Sequence, residues 1–358
     1  MPTLEFKGKQ FVYSHHLGVP FRELKVIADK SLPPEGQKPS LDDNLIIHGD
    51  NLEALKALLP THAGKVDCIF IDPPYNTGNE GWCYNDNVRS PLMQEWLKKS
   101  ANPVDKEDLE RHDKWLCMMW PRLNLLRELL SERGSLWVTL NDIEVHRCRM
   151  ILDEVFGEEN LVTQVVWQKR TSRENRATFS SSHDHILLYS KSSPEYWKAV
   201  RNLLPAGENG YSNPDDDPKG AWASIPFSAQ GFRENQMYEI RTPTGKIVKP
   251  PRGRCWGATE PEFKRLQAEG RVYFPKGGEG RPRIKQYEGE GKGLVPFTLW
   301  PASEVGDNED SKKEILEIFG DSDELSFDTP KPVALIQRVL KIATGKESII
   351  LDSFAGSG

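Results

Sequence analysis

The chain has 358 residues, 37% of them hydrophobic, enough for one large or two ordinary domains with a real core. It contains no apolar run of ~18 residues and no signal-peptide pattern, which argues against membrane and secreted classes and leads to the expectation of a cytoplasmic protein. The formal charge of -6 argues against a uniformly basic nucleic-acid binder, and five scattered cysteines without a C-x-x-C pair argue for thiols rather than disulfides or zinc.

Residues 1–40 are mixed in composition and broken by Pro33-Pro34-Glu35-Gly36, which predicts an N-terminal extension with little regular structure. LIIH at 45–48 reads as a short buried strand, ended by Gly49 and Asp50, with Asn51 capping a helix through Leu59. VDCIFI at 66–71 reads as buried sheet, and Asp72, Pro73, Pro74 and Tyr75 follow it without a spacer. Residues 76–90 form a Gly/Asn-rich loop. Apolar spacing over 112–134 predicts a helix in which Pro121 is a kink or a break. SLWVTL at 135–140 is a strand, and NDIEVHRCRMILDEVFG is a helix stopped by Gly157. LVTQVVW and HDHILLYSK add strands. This rhythm predicts an α/β fold with a doubly wound, mostly parallel sheet.

The pattern breaks at about residue 195. Pro, Gly and Asn become dense and periodicity stays weak to about residue 300, as in an inserted, loop-rich module. PVALIQRVLKIAT then reads as a helix and ESIILDSFAGSG as a strand entering a glycine turn. The expected division is an extension (1–40), a first core segment (41–194), the insertion (195–300) and a return to the core (301–358). Charge is segregated too: residues 241–292 carry 13 Lys/Arg against 6 Asp/Glu, whereas 304–328 carry ten acids against Lys312 and Lys313. A basic segment of this kind suits a polyanion, and an unevenly charged solvated surface is the competing explanation.

Two motifs fix the chemistry. Glycines after the strand 348–351 allow close approach of backbone to a nucleotide-like ligand, although an isolated G-x-G is weak evidence. Its weight comes from DPPY. Two prolines fix φ and remove two donors, which leaves their carbonyls as stiff acceptors. Asp72 adds a carboxylate and Tyr75 a flat face, so the set matches an exocyclic amine on a planar base. Preorganised acceptors of this type contribute ~3–4 kcal/mol each to a transition state, and stacking ~1–3 kcal/mol per base. If the two strands are neighbours, both motifs line one crevice.

Taken together, LIIHGDNLEAL, IDPPYNTGNEGWCYND, RHDKWLCMMWPRLNLLRELL, GSLWVTLNDIEV, HDHILLYSK, GRCWGATEPEF, VPFTLW, EVGDNEDSKKE and FDTPKPVALIQRVLKIAT resemble, in order, the permuted (beta) group of amino-methylating DNA methyltransferases. The resemblance is strongest to the modification subunits of type III restriction–modification systems. It implies transfer of methyl from S-adenosylmethionine to adenine N6 in double-stranded DNA, after the base is flipped out. It implies that Asp72 and the Pro73 carbonyl hold the amine in the Asp72-Pro73-Pro74-Tyr75 loop, with Tyr75 stacked on the base. Asp50, with Asn51, would contact the cofactor's adenine. Asp352, Phe354, Gly356 and Gly358 would form the methionine end of that pocket, closed by Thr329, Lys331 and Pro332. Asn76 and Phe179 are the candidates for the rest of the base pocket. The insertion falls where the family carries its target-recognition domain, with Arg252, Arg254, Arg281, Arg283 and Lys285 as candidate DNA contacts. A restriction subunit and a second copy of the chain are the implied partners.

Several readings compete. His183-Asp184-His185 could ligate a metal, but it reads better as a strand entry, and no metal is expected. Trp115, Trp120, Trp137, Trp167 and Trp256 read as core. Cytosine N4 methylation fits less well, because that group more often has serine where Asp72 stands. Protein-glutamine and RNA methyltransferases share a Pro-Pro-Tyr loop but leave the insertion unexplained. A non-catalytic DNA-binding or assembly fragment is favoured by the last residue, Gly358, inside the glycine motif. On that reading the chain is truncated and binds S-adenosylmethionine weakly or not at all.

Overall fold

Val66–Ile71 is buried at every position, the pattern of a strand covered on both faces. It is β1 of a six-stranded sheet whose other members are β2 (Leu130–Leu140), β3 (Leu161–Gln168), β4 (His183–Ser190), β5 (Leu299–Trp300) and β6 (Ile349–Leu351). Their order is β5-β3-β4-β2-β1-β6. β1 runs parallel to both β2 and β6, and β5 runs parallel to β3, while β4 is antiparallel to each of its neighbours. The expected mixed α/β architecture is present, with β4 as the reversed strand. The polar residue in β1, Asp67, accepts from Ser131 Oγ and Arg133 Nε at 2.9 Å each and from the Ile349 amide at 3.2 Å. Burial would raise its carboxyl, but these donors outweigh it and hold Asp67 below the usual carboxylate range.

The computed structural model describes residues 2–78, 82–83, 86, 92–93, 95–96, 104, 107–108, 110–204, 211–287, 290, 293–320 and 329–356. It divides into a sheet unit, Met1–Asn202 with Phe297–Gly358, and a second unit, Leu203–Pro296. The ends of the expected insertion, 195–202 and 297–300, lie in the sheet unit. There the helix Pro194–Val200 sets Trp197 edge-on to Trp137, with centroids 6.2 Å apart. The second unit contains a three-stranded antiparallel ladder of Trp222–Pro226, Val272–Tyr273 and Arg283–Tyr287, and a core of its own around Phe227, Trp256 and Phe263.

The helix Arg111–Leu129 runs through Pro121 without a break, and its buried side includes Trp115, Trp120 and Leu123. Trp115, Trp120, Trp137, Trp167 and Trp256 are all buried, as expected of core residues. β2 begins at Leu130, five residues before the expected strand, and Gly134 makes room for it: a Cβ there would lie 2.7 Å from the Val66 carbonyl oxygen. Gly157, at φ +96, stops the helix Val145–Phe156 as expected. LIIH is a correction. Residues 44–48 are irregular and Ile46 is fully exposed, because an apolar tetrapeptide becomes a strand only where a neighbour offers amide groups to pair with. Residues 1–40 are more ordered than expected, with helical turns at Lys9–Val12 and His15–Gly18 and with Val12 and Val19 buried in the main core. Among the described residues no helix is long and apolar enough to cross a membrane.

Candidate active site

The parallel pairing of β1 with β6 puts Ile69 opposite Leu351, so Asp72 and Asp352 leave the sheet at the same carboxyl edge. A third element joins them there, the helix Asn51–His62. Its cap is Asp50, not Asn51: the Asp50 carboxylate accepts from the amides of Leu52 and Glu53 at 3.0 and 3.2 Å. Asn51 instead donates Nδ2 to the Ser353 carbonyl at 2.9 Å, tying the helix start to the turn after β6. Its Oδ1 accepts from Arg122 Nε at 2.6 Å, and the Arg122 guanidinium also grips Asp86 through two bonds of 2.6 and 2.8 Å.

The DPPY loop is held on three sides. Trp115 Nε1 donates to the Pro74 carbonyl at 2.6 Å. The Tyr75 hydroxyl meets Thr139 Oγ1, near the end of β2, at 2.9 Å. Asn76 takes a left-handed backbone (φ 59) and is buried, donating Nδ2 to Glu144 Oε1 at 2.5 Å and to the Arg111 carbonyl at 3.2 Å. The Asn76 amide nitrogen is thus committed inside the protein, while its Oδ1 is buried without a hydrogen bond. A short polar side chain tolerates this backbone only where such bonds fix it.

Asp72 lies deep. Lys331 Nζ donates to its Oδ2, and Oδ1 is buried without a hydrogen bond. Burial pushes the Asp72 carboxyl up, against the pull of the Lys331 ammonium and the nearby Tyr75 hydroxyl. Burial, and then the Asp72 and Asp184 charges, push the Tyr75 phenol well up, so the ring stays neutral. Lys331 also stands over the Tyr75 ring, 5.1 Å from its centroid. The flanking Pro330 and Pro332 are buried, whereas Thr329 is exposed. The family motif points Lys331 toward the cofactor; the structure brings it to the Asp72 carboxylate.

After β6 the chain turns sharply. Asp352 Oδ1 accepts from the Phe354 amide at 2.8 Å and Gly356 is at φ +61. The Asp352 carboxyl is pushed up to about 6 by surrounding protein, eased by the Phe354 amide and reinforced by the Asp72 charge. Ser353 Oγ is buried and lacks a hydrogen bond. Gly358 lies outside the described residues, as does the 321–328 part of the acidic stretch.

The remaining expected site residues divide sharply. Phe179 is 90% exposed. His183 opens β4, and its neighbour His185 is engaged at both ring nitrogens, by Asp142 at 2.8 Å and Gln164 at 2.9 Å. Asp142, His183 and His185 bring ligand atoms within 4.8 Å of one another. In the second unit, Lys285 is buried between Asp215 and Asp217, at 2.5 Å from each, and is no surface contact. Arg254 and Arg283 each bind one serine across a strand, at Oγ and carbonyl: Ser228 at 3.0 and 2.8 Å, Ser224 at 2.6 and 2.7 Å. Arg252 and Arg281 are exposed, and Arg281 Nε donates to the Lys249 carbonyl at 3.0 Å.

With this geometry in hand, comparison with known proteins is informative. The model of a family described as DNA methylase matches residues 66–358. The chain belongs to the DNA methylase family. It is 33% identical to the type III restriction-modification enzyme StyLTI Mod subunit of Salmonella typhimurium, over 88% of this chain and 48% of that protein. It is 28% identical to the EcoP15I Mod subunit of Escherichia coli (93% and 57%) and 27% to the type II methyltransferase M.KpnI of Klebsiella pneumoniae (87% and 73%). The chain thus spans about half the length of the first two. Among solved structures it is similar to PvuII DNA methyltransferase (cytosine-N4-specific), with a TM-score of 0.39 at 10% identity, over 85% of this chain and 74% of that one.

Trp115, Thr139, Glu144 and Arg122, which hold the loops at this edge, went unmarked in the sequence as supports of the candidate site. Each acts through a partner 36 to 71 positions away, and nothing local marks it.

Proposed function

We propose that the chain carries the catalytic part of a site-specific DNA methyltransferase that moves methyl from S-adenosylmethionine to N6 of a flipped adenine, in a restriction–modification system of type III kind. The observation that carries this reading is the shared edge: Asp72 and Tyr75 leave β1, and the Asp352–Gly356 turn leaves the adjacent parallel β6. Two buried polar atoms without hydrogen bonds, Asp72 Oδ1 and Ser353 Oγ, suit a polar ligand on each side of that crevice. Asp50, Asn51, Asp352, Phe354 and Gly356 would hold S-adenosylmethionine, which supplies an electrophilic methyl on sulfonium.

In this reading Asp72 and the Pro73 carbonyl accept the two hydrogens of the amine. They draw its lone pair out of the ring and stabilise the positive charge that grows on nitrogen. Burial makes Asp72 the more willing acceptor for the proton that must leave. Tyr75, neutral and fixed by Thr139, offers its face to the base. The second unit would read the recognition site, with Arg252 and Arg281 as its exposed cations from the original set. A restriction subunit, a second copy of the chain and a cytoplasmic setting belong to the same proposal.

Sequencing of DNA from cells that express the protein, with detection of modified bases, tests it. N6-methyladenine at one position of a defined motif is the expected result. N4-methylcytosine, or no modified base, would refute it.

A further inference from the structure

Two elements of the proposed base site are the Asp72 carboxylate, which takes the amine, and the face of the Tyr75 ring, which takes the base. Both are in use. Lys331 Nζ donates to Asp72 Oδ2 and stands 5.1 Å from the Tyr75 centroid, on a side chain only 9% exposed. A nitrogen that carries hydrogens, bonded to that carboxylate and set over that ring, reproduces the target amine with a full charge added.

We propose that Lys331 is the resident occupant of the amine subsite, that a flipped base displaces it from Asp72 and Tyr75, and that Lys331 thereby sets how readily a base is admitted. The inference rests on the function proposed above and assigns Lys331 a positioning role toward the base, not a cofactor contact.

The surroundings permit this exchange. Buried Pro330 and Pro332 flank Lys331 and stiffen its backbone, so the movement falls to the side-chain torsions. The carbonyl of exposed Thr329, 3.5 Å from Nζ, is a second acceptor ready to receive the ammonium when Asp72 is given up. The exchange also has a chemical consequence. While Lys331 is in place the buried carboxylate is compensated. A neutral amine leaves it uncompensated, and so a stronger acceptor for the charge that develops on nitrogen during transfer.

The test uses duplexes with 2-aminopurine next to the adenine that modified-base sequencing identifies, so that the target keeps its 6-amino group. Lys331→Met removes the ammonium and keeps the chain length. Fluorescence of the 2-aminopurine left unstacked by the extruded adenine should rise and the duplex Kd should fall by about tenfold, equivalent to about 1.4 kcal/mol of lost competition. Binding of S-adenosylhomocysteine should change less than about twofold, and Lys331→Arg should restore the suppression. Unaltered base extrusion with lost S-adenosylhomocysteine binding would return Lys331 to the cofactor side and overturn the proposal. Because the substitution strands a buried carboxylate, a second measurement uses the unsubstituted protein. Acylation of Lys331, followed by mass spectrometry, should be slow in the free protein and several-fold faster with the 2-aminopurine duplex bound. Equal or greater protection would overturn the displacement. Absence of any modified base strikes the functional reading and this inference with it, whereas methylated DNA with Lys331 unmoved strikes the inference alone.

Discussion

Trp115→Phe isolates what the grip on the Asp72–Tyr75 loop is worth. The indole N–H donates to the Pro74 carbonyl at 2.6 Å from a side chain with no exposed surface. Phenylalanine keeps an aromatic ring in place but leaves the carbonyl without its donor, at a cost of ~1–3 kcal/mol, and the smaller ring leaves a void worth ~1 kcal/mol more. The loss of stability should be ~2–4 kcal/mol on these two terms. The loop should also shift, and misplacement on the order of 1 Å costs about 10²-fold in rate. Trp120→Phe is the matched control, because Trp120 is buried on the same helix and donates to the Tyr13 carbonyl at 3.1 Å, away from the loop. Urea denaturation and transfer of labelled methyl to unmodified DNA are the assays. Both variants should lose stability, and only Trp115→Phe should lose turnover, by roughly 10- to 100-fold. Equal turnover in the two variants would refute the idea that the Pro74 contact positions the catalytic acceptors.

Asp72→Ala should lower methyl transfer by at least ~10²–10³ while calorimetric binding of S-adenosylmethionine stays close to that of the unsubstituted protein. Arg252→Ala and Arg281→Ala should each weaken DNA binding about evenly across sequences and reduce the slope of log K against log salt by about 1. Lys285→Met, which removes the cation between Asp215 and Asp217, should leave that slope alone and lower the unfolding midpoint of the second unit. Asp67 gives a pH signature. Its folded pKa is depressed, so its contribution is complete above the unfolded value of about 3.9 and is lost as pH falls through the folded one. Urea midpoints measured down to about pH 3 should show this decline, and Asp67→Asn should remove its share of it.

Much of the sheet unit was legible, because its strands are short apolar runs bounded by clear breakers. VDCIFI, LVTQVVW and IIL all form strands of the one sheet. LIIH has the same composition and forms none, since pairing depends on a neighbour that composition does not reveal. The cap was misread by one position. Asp50 and Asn51 are both good caps, and the choice is made by Ser353 and Arg122, 302 and 71 residues away, which occupy the Asn51 amide. Residue type also failed to separate a grip on DNA from an internal tie. Arg254 and Arg283 look like nucleic-acid contacts in the sequence, yet each is spent on a serine of the adjacent strand, and Lys285 on two aspartates. Lys331 stands out in the sequence by its motif, but its contact with Asp72 is a property of the fold alone.

The bond between Asp67 and the Ile349 amide has a reach beyond the strand that holds it. Successive residues of a strand advance by about 3.3 Å and alternate faces. If β6 slid past β1 by a single position, Asp352 would travel that distance along the sheet axis and swing to the opposite side, away from Asp72. Asp67 fastens the two strands at the rim remote from the chemistry and so acts as the gauge that keeps both halves of the crevice level. A change far from any ligand can thus detune the site without touching it.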